Sequence, residues 1–416
     1  MKSPNTSSVT VPQGFLAAGG TCGIKASGKP DLALIVSDRP AAAAAVLTKN
    51  RLPGAPLIVT KRHLRSDGTR AIVCNSGVAN DATGQQGIDN AKRTCQLVAQ
   101  YVSATGQFDA FAARDVLPAS TGVIGPQLPM DKIDRGVATV AAQLGRGRRA
   151  DAAAARAIMT TDLVPKAAMR RVMLGSKRVT LGGIAKGSGM IAPNMATMLV
   201  FITTDCAIAA PLLRQALRSA VAESFNRISV DGHTSPSDMV IVLANGAAGN
   251  RTIAAAGKAF SAFSQALAEL CKDLAYKIIA DGEGATRVFR VIVRNARSQK
   301  DADRVGQAIV NSPLVKSAVH GGDPNWGRIV TAAANSGAAF TPARTSLHIG
   351  ENRDVCVFRR GTPQAPGRTT LRKLHSLMKR KEVVFTLDLG LGKFGAEWLG
   401  CDLSRQYVAI NADYTT

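Results

Sequence analysis

The segment Lys186 to Met198, K-G-S-G-M-I-A-P-N-M-A-T-M, concentrates residue types that can do chemistry. Gly187 and Gly189 flank Ser188 and open backbone conformations closed to other residues. Pro193-Asn194 forces a turn, because proline fixes its own φ and pushes Ala192 towards extended geometry. The apolar, β-branched run Leu199 to Thr204 follows and reads as a buried strand. Thr197 thus stands where a tight turn enters a strand, behind the small Ala196. Its hydroxyl would attack the Ala196 carbonyl, shift the acyl group from nitrogen to oxygen, and after ester hydrolysis leave a second chain beginning at Thr197. The new α-amine, titrating near pH ~7.7–8.0, would serve as base for its own hydroxyl. The plainer alternative is a tight loop before a core strand, and spacing alone does not separate the two.

Other segments offer partners for such chemistry. Val116 to Gly125 reads V-L-P-A-S-T-G-V-I-G, in which Ser120, Thr121 and Gly122 form a small-residue turn after an apolar approach. Such a turn suits the presentation of donors to a tetrahedral acyl intermediate, where one lost donor typically costs about 10²–10³ in rate; it is equally an ordinary strand-to-helix turn. In I-M-T-T-D, Ile158 to Asp162, the adjacent threonines Thr160 and Thr161 could simply cap a helix. Lys186 is either a surface lysine or the partner of a carboxylate. D-G-E-G-A-T, Asp281 to Thr286, lifts Glu283 between two glycines, where it could hold an ammonium or orient an amine. His233 lies on a polar loop with no triad around it and reads as solvent-facing.

The elements that must position these residues alternate strand and helix. Leu32 to Val36, Leu57 to Thr60 and Ala71 to Cys74 read as buried strands. Helical spacing marks Asp89 to Ala104, Ile133 to Ile158 with a break near Gly145 to Arg149, Ala209 to Asn226, and Ala259 to Ile279. Phe358 to Lys381, rich in charge, glycine and proline, reads as an exposed excursion.

Composition sets the outer bounds. At 416 residues, 46% hydrophobic and 19% charged, the chain is globular and large enough for two lobes or two intertwined halves. No apolar run approaches a membrane span, and no signal-peptide h-region is visible near the N-terminus. Seven scattered cysteines without a C-x-x-C pair point to neither a zinc site nor a disulfide frame, and fit a reducing cytoplasm. The net charge of +23 raises nucleic-acid binding, but aromatics are only 4% and the basic residues are dispersed, so nucleic acid is not expected. Nucleotide-binding and metalloprotease motifs are absent from the sequence, and no metal is implied.

These segments together resemble the ornithine acetyltransferase (glutamate N-acetyltransferase) family nearly from end to end. The resemblance rests on Ala-Thr-Met-Leu from Ala196, Ser-Thr-Gly-Val-Ile-Gly from Ser120, the Glu283 segment, S-P-L-V-K from Ser312, and D-P-N-W-G-R-I from Asp323. It implies an α/β (α+β) fold in which stacked sheets form a sandwich flanked by helices, of the N-terminal-nucleophile type. It implies self-cleavage at Ala196–Thr197 into an α chain, residues 1–196, and a β chain, residues 197–416, which remain together as an α₂β₂ assembly. Thr197 would be the nucleophile, and Thr121 and Gly122 the oxyanion hole. Thr160 (rather than Thr161), Lys186, Thr197, Glu283, Asn411 and Thr416 would bind substrate. The implied reaction moves an acetyl group from N²-acetyl-L-ornithine to L-glutamate through an acetyl-enzyme, in cytoplasmic arginine biosynthesis, with acetyl-CoA as a second candidate donor and no other cofactor. Against the family pattern, Val78 replaces Asn, Asp81 replaces Ala, Ala82 replaces Cys, His233 replaces an acid and Pro324 replaces Ala. Two other classes remain: an autoprocessing threonine amidase or aminopeptidase, and an inactive basic binding paralogue. A carboxylate-bearing substrate, suggested by Lys186 and Thr160, favours the transferase; a mere binder has no use for Thr197, Lys186, Glu283 and Asn411 together.

Overall fold

Residues 8–65, 68–109, 111–192 and 198–413 are described by the computed structural model; Ala196, Thr197 and Thr416 lie outside them. The strands of the first two-thirds are β1 (Phe15–Gly20), β2 (Leu32–Leu47), β3 (Thr69–Val78), β4 (Val116–Val123), β5 (Lys166–Leu174), β6 (Lys177–Lys186), β7 (Leu199–Thr204), β8 (Ile228–Ser229) and β9 (Met239–Ala244). Eight of them form one sheet in the order β4-β3-β2-β9-β7-β6-β5, with β1 also on β2. β2 carries the sheet through a bend. Leu32 to Val36 pair with β1 and β3, the register breaks across Ser37–Pro40, and Ala42 to Leu47 pair with β9.

That bend folds the sheet onto itself. Ala33 and Ile35 of the first half share a core with Leu199, Phe201, Ile241 and Leu243 of the second, so the two half-sheets face each other. Alternate residues point outward, as the two-residue strand period requires. Leu32, Leu34 and Val36 pack beneath α2 (Gly84–Ala104) and α3 (Met130–Ala142), introduced after α1 (Ala55–His63). Val200, Ile202, Val240 and Val242 pack against α5 (Ala210–Ala222) and α6 (Lys258–Ala280), which follow α4 (Arg148–Ala157). The result is helix, sheet, sheet, helix: the stacked-sheet sandwich expected. Full burial of a side chain such as Phe201 contributes about 1.5–3 kcal/mol.

Residues on either side of position 197 interleave in this sheet. β9 lies between β2 and β7, and β7 pairs antiparallel with β6. A second lobe holds β10 (Val288–Ala296), β11 (Ser346–Ile349), β12 (Val355–Arg359), β13 (Thr362–Pro363), β14 (Glu382–Asp388) and β15 (Phe394–Cys401), in the order β13-β12-β11-β14-β10-β15-β8. Helices α7 (Gln299–Asn311), α8 (Pro313–Gly321), α9 (Trp326–Ala334) and α10 (Arg368–Met378) close its separate core, and α11 (Arg405–Asp413) ends the described chain.

Three expectations are corrected. Leu57 to Thr60 is not a strand but part of α1, which Pro56 opens at its first turn; four apolar residues cannot distinguish a strand from a buried helical turn. Ser120 to Gly122 is not a turn but the end of β4, paired with Asn75 to Gly77 of β3. The basic stretch Phe358 to Lys381 is no mere excursion, since α10 anchors it through Leu374, Leu377 and Met378. No helix among the described residues is long and apolar enough to cross a membrane.

Candidate active site

The register of β6 on β7 pairs Lys186 with Leu199, so the Gly187–Met198 segment connects two adjacent strand ends. Lys186 is not on the surface: it is 3% exposed, and its Nζ donates to Thr121 Oγ1 at 3.3 Å. Burial lowers its pKa, while the neighbouring Asp162 carboxylate pulls the other way. Parallel pairing of β3 with β4 sets Ser76 beside Thr121 and Gly77 beside Gly122. Gly122 has φ +133°, and a Cβ there would stand 2.3 Å from the Gly77 carbonyl carbon, so only glycine fits. Ser120 Oγ donates to Asn75 Oδ1 at 2.5 Å and fixes the pair of strand ends.

A buried ion cluster joins the other substrate-site segments. Lys166 Nζ lies 2.6 Å from both Asp162 Oδ1 and Asp281 Oδ2, with every member nearly or fully buried. Asp162 also accepts from the Thr160 and Gly187 amides, at 3.0 and 2.7 Å. Burial would raise its pKa, but Lys186, Lys166 and the Gly187 N–H outweigh that and hold it at about 2. Ser188 Oγ donates to the Asp281 carbonyl at 2.6 Å, and the Glu283 amide donates to the Ser188 carbonyl at 2.9 Å. One cation thus ties together the positions of Thr160, Lys186 and Glu283.

Glu283 is held from both sides. Asn411 Nδ2 of α11 donates to its Oε2 at 2.9 Å. The glycine that makes room is Gly189 across the cleft, where a Cβ would lie 2.3 Å from Oε2. Thr121, Gly122, Thr160, Lys186, Glu283 and Asn411 all line one cleft of about 120 Å³, as does Thr161. Of the residues implied by the resemblance, all those within the described chain therefore converge. Thr197, Ala196 and Thr416 lie outside it, but Met198 is fixed: its N–H donates to Asp238 Oδ1 at 2.8 Å.

A cation, a carboxylate and polar donors in one small cleft suit an amino acid whose acyl carbonyl is under attack. His233 is exposed, with its ring nitrogen on the Asp231 carbonyl, as its loop suggested. Asp81 is buried at the cleft wall, accepts from Ser237 Oγ at 2.5 Å, and is pushed up to about 6 by burial. Among the described residues no cluster of three or more His, Cys, Asp or Glu could hold a metal.

A family model, the ArgJ family, matches residues 16–416. The chain belongs to the ArgJ family. An arginine biosynthesis bifunctional protein ArgJ from Symbiobacterium thermophilum is 45% identical over 98% of this chain and 98% of its own. The ArgJ protein of Thermosynechococcus vestitus is 43% identical over 99% and 98%. Among solved ArgJ-family structures, that from Bacillus halodurans is 37% identical and covers 51% of this chain and 98% of its own, with a TM-score of 0.49. The ornithine acetyltransferase from Mycobacterium tuberculosis, complexed with ornithine, is 41% identical over 45% and 95%, with a TM-score of 0.41.

Sequence reasoning missed the Lys166–Asp162–Asp281 cluster. Asp162 and Asp281 stood inside quoted motifs, two residues from Thr160 and Glu283, and Lys166 lies four residues after Asp162. That proximity was the one available signal; burial of all three together comes only with the fold.

Proposed function

We propose that this cleft performs acetyl transfer from N²-acetyl-L-ornithine to L-glutamate by way of an acetyl-threonine at Thr197. The enzyme is an acyltransferase of arginine biosynthesis, and the observation that carries the site assignment is the convergence of six separately encoded residues on one cleft. Lys186 takes the substrate α-carboxylate, and Glu283, steadied by Asn411, takes an ammonium. Thr160 and Thr416 complete the substrate contacts. The Thr197 hydroxyl, deprotonated by its own α-amine, attacks the acetyl carbonyl while the Gly122 N–H and Thr121 hydroxyl hold the oxyanion. The amide C–N bond breaks, ornithine leaves with the proton, and glutamate reverses the sequence.

Thr197 becomes an N-terminus by cleavage after Ala196. The fixed strand β7 and the Asp238–Met198 hydrogen bond support this reading, because they hold the residue after Thr197 in place. The two products, 1–196 and 197–416, share one sheet, which supports their remaining together as α and β chains; an α₂β₂ assembly in the cytoplasm belongs to the same proposal.

The test is a denaturing gel with N-terminal sequencing, beside an assay of N-acetylornithine loss with and without glutamate. The 43.4 kDa chain should give fragments of about 20 and 23 kDa, the larger beginning Thr-Met-Leu-Val, and Thr197→Ala should stay intact. Loss of N-acetylornithine should depend on glutamate; equal loss without it would make the enzyme a hydrolase.

A further inference from the structure

Asp81 puts a carboxyl into the cleft wall where the family pattern has Ala, and only 1% of the residue is exposed. Its Oδ2 accepts from Ser237 Oγ at 2.5 Å, and Ser237 lines the same cleft. Its Oδ1 is buried without a hydrogen-bond partner. That oxygen lies against Gly54, where a Cβ would stand 1.8 Å from it, so bare backbone just before α1 makes the room. Asn80 and Ala82, on either side, have left-handed backbone with φ +55° and +56°. Residues other than glycine seldom adopt it, and it persists where the surroundings over-determine the chain. The Asp81 carbonyl also accepts from the Gly125 amide at 3.1 Å, which ties the loop to the chain leaving β4. A carboxyl held this firmly beside one cleft hydroxyl controls what that hydroxyl can offer.

The two substrates of the exchange share their α-groups and end in opposite charges, an ammonium on ornithine and a carboxylate on glutamate. One cleft of about 120 Å³ has to take both. The charges that line it beside Asp81 are Lys186 and Glu283, and each suits one of these ends and opposes the other. A hydroxyl can serve either end, because it has one hydrogen to donate and lone pairs to accept with. Which of these Ser237 shows depends on Asp81. Against a carboxylate, the serine hydrogen is committed to Oδ2 and the lone pairs are left for the cleft. Against a carboxylic acid, the Oδ2 hydrogen is donated to Ser237 Oγ and the serine hydrogen is free to point into the cleft. The two states differ by one proton taken from solvent, and both keep the Asp81–Ser237 contact.

We propose that Asp81 sets the direction of the Ser237 hydroxyl, and that this hydroxyl reads the end of the substrate side chain. It accepts from the ornithine ammonium when Asp81 is a carboxylate, and donates to the glutamate γ-carboxylate when Asp81 holds a proton. This rests on the acetyl-transfer reading of the cleft. Asp81 is a positioning residue, since it acts through Ser237. Burial pushes its carboxyl up to about 6, against the pull of the Ser237 hydroxyl, so both states are populated near that pH. The charged groups around it are Asp238, on the loop that carries Ser237, with Lys186 and Glu283 of the cleft lining. Burial also drives Asp238 well above the usual carboxylate range, but its Oδ1 is taken by the Met198 amide. Asp81 is therefore the carboxyl hydrogen-bonded to a side chain that lines the cleft.

The experiment is calorimetric titration of the full-length enzyme with L-ornithine, L-glutamate and L-norvaline at about pH 5 and about pH 7.5, repeated on Asp81→Asn and Ser237→Ala. Norvaline carries the same α-groups without a charged end, so it reports any effect of pH on the rest of the cleft. Between the two pH values the parent's Kd should fall at least fivefold for ornithine and rise at least fivefold for glutamate, with norvaline moving less than twofold. Each variant should lose both trends. Affinities in the parent that ignore pH, that move the same way for ornithine and glutamate, or that norvaline shares would overturn the proposal. So would opposed trends that survive in the variants; Asp81→Asn, nearly the same shape as the parent side chain, decides if Ser237→Ala does not fold. Binding is read without turnover, so opposed trends in an enzyme that fails to exchange acetyl groups strike the acetyl-transfer reading and leave the Asp81 assignment standing.

Discussion

Lys166 Nζ sits 2.6 Å from Asp281 Oδ2, and through that contact the Thr160 segment and the Glu283 loop share one anchor. Lys166→Met keeps the length of the side chain but leaves Asp162 and Asp281 buried without their cation. Breaking a buried pair from one side costs about 3–5 kcal/mol. The variant should unfold at a clearly lower temperature, and KM for both amino-acid substrates should rise at least tenfold. A variant that is merely less stable, with both KM values intact, would limit Lys166 to stability.

Asp162 and Asp81 move stability in opposite directions with pH. Asp162 is held at about 2, below its unfolded range near ~3.9, so its contribution is complete above pH ~4 and disappears as pH falls through its folded value, about 2 kcal/mol in all. Asp81 is pushed up to about 6, so the folded chain keeps a proton that the unfolded chain has released. Stability therefore declines between pH ~4 and ~6 and stays lower above. Asp81→Asn removes that slope. The stability of the variant relative to the parent should rise by about 2 kcal/mol from pH 4 to pH 7 in chemical denaturation. A difference constant over that range would contradict the buried, protonated carboxyl.

Gly189→Ala tests the cleft from the far side. The added methyl would fall 2.3–2.5 Å from the Glu283 carboxylate, a flexible end that can move, so the fold should survive. Glu283 would leave Asn411, and KM should rise about tenfold or more with little change in unfolding temperature.

Much of this was legible beforehand where local pattern and burial agree. Leu199 to Thr204 is β7 to the residue, because a β-branched run flanked by turn residues leaves few alternatives. The long helices α2, α5 and α6 followed their apolar spacing. Leu57 to Thr60 failed because a run that short has no period to read, and Pro56 then decides for helix. Lys186 is indistinguishable from a surface lysine by sequence alone, because its burial follows from the pairing of β6 between β5 and β7. Buried charge is a tertiary fact: nothing local to Lys166 announces that two carboxylates 119 residues apart in sequence will meet on it.

Thr121→Ala separates two roles that the geometry superimposes. Thr121 Oγ1 accepts from Lys186 Nζ at 3.3 Å, and the same hydroxyl is the proposed donor to the oxyanion. If it acts on the oxyanion, the lost interaction exists only in the transition state, so kcat should fall by about 10²–10³ with KM changed less than threefold. If it merely steadies Lys186, the bound α-carboxylate suffers instead, and KM should rise while kcat holds. Thr121→Ser keeps the hydroxyl and should restore most of kcat. Steady-state kinetics on the two variants, with N-acetylornithine varied at saturating glutamate, therefore assigns the hydroxyl to chemistry or to binding.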